Sequence, residues 1–378
     1  MPKTGLQSEI ALKKLSSISG NSLRLTLVGE SKKHYSPIEG IIAVLDEGAY
    51  TGTNKLALLL ALIDLAPRIG ERNYIEHREL AEYLMELQWG HTDNFQDKPA
   101  PKQLTASNIE DQKVLIEIKR IKNLVGAKNF HQAKADCPNK EWNKSITAIT
   151  AMLKKNPIPK LQTISKKKFE FLYYVKDQNA KISLFPESKQ ALIEYGGVLR
   201  SLVETRFVRF VSQTNYKQDT FANLEVYLFG ADRFMPPPRM RKALFEVQAG
   251  KCIYTKKKLI QATMQVDHVL PWSRNPISHI ENFALTSKEL NGRKSNLLPS
   301  KELIENWMAF EIQNRNALEE IAKEFNWPAD LGVVSRSLRS IYAQVPDGTP
   351  IFSPSEVTPL SASKRKTILN LLTLTTGN

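Results

Sequence analysis

The stretch from Met264 to Asn296 constrains the chain more than any other. Met264, Val266 and His268 alternate with Gln265 and Asp267, which is the period of a strand. Pro271 ends that run, and a loop leads to a second one, Asn282-Phe283-Ala284-Leu285. Thr286-Ser287-Lys288-Glu289 then has the form of a capping box, so a helix is expected to start there with Asn291 one turn into it. This order of signals predicts two antiparallel strands crossed by a helix.

An Asp-His pair at 267–268 followed by Asn282 and Asn291 resembles the HNH, or ββα-metal, nuclease motif, including the HNH strand-cutting domain of CRISPR-guided nucleases. Cys252-Ile253-Tyr254 opens the segment in a similar manner. Many members have a second Cys here and bind structural zinc, but Thr255 stands in its place, so no structural zinc is expected. The resemblance covers residues 250 to 300. No RuvC-like partner domain accompanies it.

The resemblance implies metal-dependent cleavage of DNA, and the residue types suit that chemistry. Breaking a phosphodiester needs a nucleophile, charge neutralisation at phosphorus and help for the departing oxygen. A hard divalent cation supplies the last two and prefers oxygen ligands. Asp267 offers a carboxylate and Asn291 an amide oxygen, so Mg2+ (or Mn2+) is implied rather than zinc. His268 is the candidate base for a water nucleophile, since an unperturbed imidazole titrates near neutrality. Asn282 resembles the family's middle Asn, which fixes the loop and the orientation of the His. Arg274, Arg293 and Lys294 are candidate DNA phosphate contacts. Neighbours on a strand face opposite ways, so Asp267 and His268 reach one phosphate only if the strand end twists.

Lys+Arg 53 against Asp+Glu 39 gives a net charge of +14, which attracts polyanions such as nucleic acid. Cys137 and Cys252 form no CxxC pair, so a disulfide framework is not indicated. Met1-Pro2-Lys3-Thr4-Gly5 opens no apolar leader, and the longest apolar run, Leu56 to Ile63, is too short for a bilayer. The expectation is a cytoplasmic protein with no membrane insertion.

The fold class expected is α+β. A mainly helical region with a small β element spans 1–235, the nuclease module 236–310 and closing helices 311–378. Leu23, Leu25 and Leu27 suggest a short strand, and Ser36-Pro37-Ile38-Glu39 a capped helix start. Lys55 to Leu65 reads as a buried helix. Ile75, Leu80, Tyr83, Leu84 and Leu87 form an apolar stripe whose polar face would carry Glu76, His77, Glu79, Glu82 and Glu86. A recognition helix that acidic would be repelled by phosphate, so core packing is preferred to a helix-turn-helix. Phe169 to Tyr174 suggests a strand with Ile182 to Phe185 as its hairpin partner. Leu199 to Val211 predicts an apolar helix with Arg200, Arg206 and Arg209 solvated. Pro236-Pro237-Pro238 breaks the chain, and Tyr254, Trp272 and Trp307 are the expected core aromatics of the module.

The function expected is a DNA endonuclease that nicks or degrades its substrate. Solitary HNH nucleases often belong to restriction or antiphage systems, Zorya among them, so other proteins of a defence system are expected partners beside DNA. Alternatives are a non-catalytic, partner-recruiting DNA binder on the same fold, and a site-specific restriction endonuclease.

Overall fold

Helix formation begins where local chemistry demands it. In the computed structural model, which describes residues 35–373 apart from 49, 106–110, 128, 176–179, 217–220 and 231–234, Pro37–Glu47 forms α1. Its capping box closes as expected: the Ser36 hydroxyl accepts from Glu39 N at 3.3 Å, and the Glu39 carboxylate accepts from Ser36 N at 2.9 Å. The strand expected over Leu23–Leu27 lies outside the described residues. Next comes α2 (Asn54–Leu65), buried at every position from Leu56 to Leu65, as a helix apolar on all sides must be.

The chain continues through β1 (Tyr74–Glu76), α3 (His77–Leu87), α4 (Lys113–Val125), α5 (Phe130–Asp136) and α6 (Asn139–Lys155). The short strands β2 (Thr163–Ile164), β3 (Lys167–Lys168) and β4 (Lys181–Ser183) then precede α7 (Pro186–Glu194) and the long α8 (Gly196–Asn215). Helix α8 lays Leu199, Val203, Phe207 and Val211 into the core at fourfold spacing and packs along α2.

The fold departs from expectation at β1, at the start of α3 and over residues 169–174. Ile75 sits in β1, opposite Ile182 of β4, rather than on the α3 stripe. His77 is buried at the start of α3 instead of joining its polar face. Phe169 to Tyr174 forms no continuous strand: Tyr173 alone bridges Leu184 of the expected hairpin partner, and β4 pairs with β1 instead. The Gln162 side-chain oxygen accepts from Phe171 N at 2.8 Å and Leu172 N at 2.6 Å, and its amide donates to Tyr173 O at 2.8 Å. One side chain thereby satisfies backbone groups that a neighbouring strand would otherwise have taken.

The remaining elements are α9 (Phe221–Glu225), α10 (Pro238–Val247), β5 (Met264–His268), β6 (Phe283–Ser287), α11 (Lys288–Lys294), β7 (Leu298–Pro299), α12 (Lys301–Gln313), α13 (Arg315–Glu324), α14 (Leu331–Gln344), β8 (Pro350–Phe352), β9 (Val357–Pro359) and α15 (Ala362–Thr373). The architecture is mainly helical with small sheets, consistent with α+β. Among the described residues no helix is long and apolar enough to cross a membrane.

A buried charge ties the helical region together. Asp64, 1% exposed, accepts from the Tyr83 hydroxyl and from the Arg200 guanidinium, which also pairs with Glu204 at 2.9 Å. Arg200 is therefore interior, not solvated as expected, while Arg209 is exposed and Arg206 lies 5.2 Å from the Tyr50 ring. Removing Asp64 leaves the buried Arg200 guanidinium with Glu204 alone as its charge partner. Asp64→Ala is expected to lower unfolding stability by about 3–5 kcal/mol, measured by urea denaturation; a change under about 1 kcal/mol would mean the pair is not desolvated.

Candidate active site

Strands β5 and β6 pair antiparallel, with Val266 opposite Leu285, Asp267 opposite Ala284 and His268 opposite Phe283. Alternation sends Val266, Phe283 and Leu285 to one face, where they pack with Met240 and Leu244 of α10 and Leu318 and Ile321 of α13. Helix α11 packs against both strands. Its cap lies one residue later than expected: Ser287 accepts from Leu290 N at 3.2 Å, while Thr286 remains in β6.

The loop between the strands is held from several sides. Asn282 spans it from within, accepting from Leu270 N at 2.7 Å and donating to Leu270 O at 3.2 Å and Ile277 O at 2.8 Å. Trp307 and Trp327 each donate an indole N–H to loop carbonyls, Glu281 O and Ser278 O, at 2.7 Å. The helical region reaches it as well. Arg68 bonds Pro276 O at 2.7 Å, and Asn275 donates to Asp64 O at 2.9 Å. A Cβ on Gly197, near the start of α8, would lie 2.9 Å from Ser273 O, so glycine is what lets that helix approach the loop.

Asp267, His268 and Asn291 border one cavity of about 670 Å³, together with Gln265, Trp272 and Arg241. His268 is the last residue of β5, which lets it share a cavity with Asp267 although neighbours on a strand diverge. Its ring is set between the edges of Trp272 and Phe283, at centroid distances of 5.4 and 5.2 Å. Trp272 is consequently half-buried on the cavity wall, not a core aromatic; Tyr254 and Trp307 are in the core as expected.

Asp267 is 6% exposed, and its Oδ2 accepts from the Tyr254 hydroxyl at 2.7 Å and from Lys294 Nζ at 3.0 Å. Lys294 is wholly buried and also donates to His268 O at 2.7 Å. Burial pushes the Asp267 carboxyl up and the Lys294 ammonium down, so each depends on the other to stay charged. This corrects the expectation for Lys294: it braces the site from inside instead of meeting a phosphate at the surface. Arg274 and Arg293 do not border the cavity; Arg293 is exposed at the end of α11, 5.7 Å from the Phe352 ring.

The donor set fits a hard cation. Asn291 Nδ2 donates to Gln265 Oε1 at 2.8 Å, which leaves its amide oxygen as the atom suited to a metal. A carboxylate has acceptor capacity beyond the two bonds at Oδ2. Among the described residues no three His, Cys, Asp or Glu side chains gather around a metal-sized space. Asp267 and Asn291 could hold a hard divalent cation only with phosphate and water completing its shell.

Sequence reasoning did not find Tyr254 as a partner of Asp267, Gln265 as a partner of Asn291, or Arg241 on the cavity wall. Only Gln265 left a usable signal, being on the same strand face as Asp267.

Residues 252–300 match a family model described as HNH endonuclease, so the chain carries an HNH endonuclease domain. No curated protein and no solved structure matches the chain. In this domain Lys294→Met should cost about 3–5 kcal/mol of stability, because Asp267 is then left buried without its cation. The double variant Asp267→Asn/Lys294→Met should recover part of that loss, measured as a double-mutant cycle in urea. Strict additivity of the two changes would show that the ion pair is not coupled.

Proposed function

We propose that this chain is a divalent-metal-dependent DNA endonuclease. The observation that carries this reading is the convergence of Asp267, His268 and Asn291 on one cavity inside the segment that matches the HNH family. A bound Mg2+ or Mn2+ ion would be held by Asp267 and Asn291, and would supply charge neutralisation at the scissile phosphate and at the departing oxygen.

The chain's own residues do the rest. His268 removes a proton from the attacking water, with its ring angle set by Trp272 and Phe283. Asn282 acts as a positioning residue: by bonding Leu270 and Ile277 it fixes the backbone that follows His268. Lys294 keeps Asp267 ionised in a buried setting and anchors the His268 carbonyl. Arg241 borders the cavity and is exposed, which places a cation where a phosphate chain would pass; Arg274 and Arg293 are proposed as contacts further along it. One site addresses one strand, so nicking is the elementary event. The biological setting proposed is antiphage defence, with the region up to residue 235 governing access.

With supercoiled plasmid and Mg2+, the protein is expected to produce open circles, and chelation should stop the reaction. His268→Ala is expected to slow nicking by about a hundred- to ten-thousand-fold while retaining the wild-type circular dichroism spectrum. Asn291→Ala should raise the Mg2+ concentration needed for half-maximal rate. Undiminished cutting by His268→Ala would overturn the reading.

A further inference from the structure

A second, larger cavity lies away from the nuclease centre. It has a volume of about 1010 Å³ and opens between α3, α5, α13 and the start of α14. Some of the charges around it pair with one another, Arg72 with Glu79 at 2.7 Å, Lys134 with Glu82 at 2.9 Å and Arg315 with Glu319 at 3.7 Å, and Arg68, Lys323, Arg336 and Asp330 line it as well.

Two carboxylates on its wall behave differently. Glu281 and Glu311 are 7% and 2% exposed, and no Lys or Arg pairs with either among the described residues. Glu281 accepts from Asp330 N at 3.2 Å, whereas Glu311 Oε1 has no hydrogen-bond partner. Neighbouring carboxylates act on both, Asp330 and Glu319 on Glu281 and Glu281 on Glu311, while the Trp307 side chain hydrogen-bonds Glu311. On the same wall, His279 Nδ1 lacks a partner too, and burial lowers that imidazole to about 4, so it is neutral near pH 7. Buried acceptors left open in this way are costly unless something donates to them.

We propose that this cleft binds an ammonium group carried on an aliphatic chain, with Glu281 and Glu311 as its acceptors. A metal ion suits the place less well, because no three His, Cys, Asp or Glu ligands gather there among the described residues and a hard cation needs six or more oxygens. An ammonium brings three N–H donors of its own. Leu318, Ala322 and Trp327, all buried and bordering the same cavity, offer apolar surface to a methylene stem. The same chemistry is found in a free polyamine and in a partner protein's lysine side chain.

Binding of the cation favours the ionised carboxylates. Burial holds Glu281 at about 7 and Glu311 well above the usual carboxylate range, so occupancy expels protons into the solvent. Isothermal titration of the full chain with n-butylammonium, spermidine and a short Ala-rich peptide bearing one Lys reads both affinity and proton release, the latter from heats in buffers of different ionisation enthalpy. Saturable binding with net proton release is the expected result. Glu311→Gln should weaken it about tenfold or more and reduce the proton count, and Glu281→Gln serves the same purpose if the first variant does not fold. Tighter binding of spermidine than of the peptide would identify a free polyamine, and the reverse order a protein side chain; both uphold the site. Absence of saturable binding to wild type, or equal binding by wild type and both variants, would overturn it by showing a pair that is merely protonated. The readout is calorimetric, so it is independent of the nuclease reading.

Discussion

Asp64 places a carboxyl group in the least hospitable part of the molecule, the helix that is apolar on every side. Its neutralisation is the constraint from which much of the architecture follows. Arg200 must come to it from α8 and Tyr83 from α3, which fixes how those two helices lie against α2. The backbone carbonyl of the same residue receives Asn275 from the loop between the nuclease strands. One residue therefore joins the packing of the helical region to the loop that carries the chain from His268 to Asn282.

The nuclease centre uses the same device at shorter range. Lys294 is withdrawn from solvent to face Asp267, and its second bond, to the His268 carbonyl, links Asp267 and His268 through a single ammonium. The loop is then closed by Asn282 and braced by two indoles and by Arg68. Geometry at the site is held by buried hydrogen bonds on rigid elements, so it does not depend on flexible surface contacts.

What could be read in the sequence was what is local. The capping box at Ser36, the alternation along β5 and the helix presenting Asn291 all involve residues a few positions apart, and each formed within a residue of its expected place. What could not be read depends on partners far along the chain. A lysine in the last turn of α11 or an arginine on α8 looks solvated until a distant carboxylate is known to face it. The aromatic run at 169–174 has the composition of a strand, but nothing in its own residues says that Gln162 will take its backbone groups. Cavity walls are the extreme case, since Arg241 and Asp267 meet there only through tertiary packing.

The hairpin's underside has a consequence for how such an enzyme can be inherited or rearranged. The segment shared with the family runs from 252 to 300, yet Val266, Phe283 and Leu285 are roofed by Met240 and Leu244 from before it and by Leu318, Ile321 and Trp327 from after it. A graft cut at the borders of the shared segment would bring Asp267, His268 and Asn291 along with a bare oily flank. The portable unit is wider than the recognisable one, reaching at least from α10 through α13.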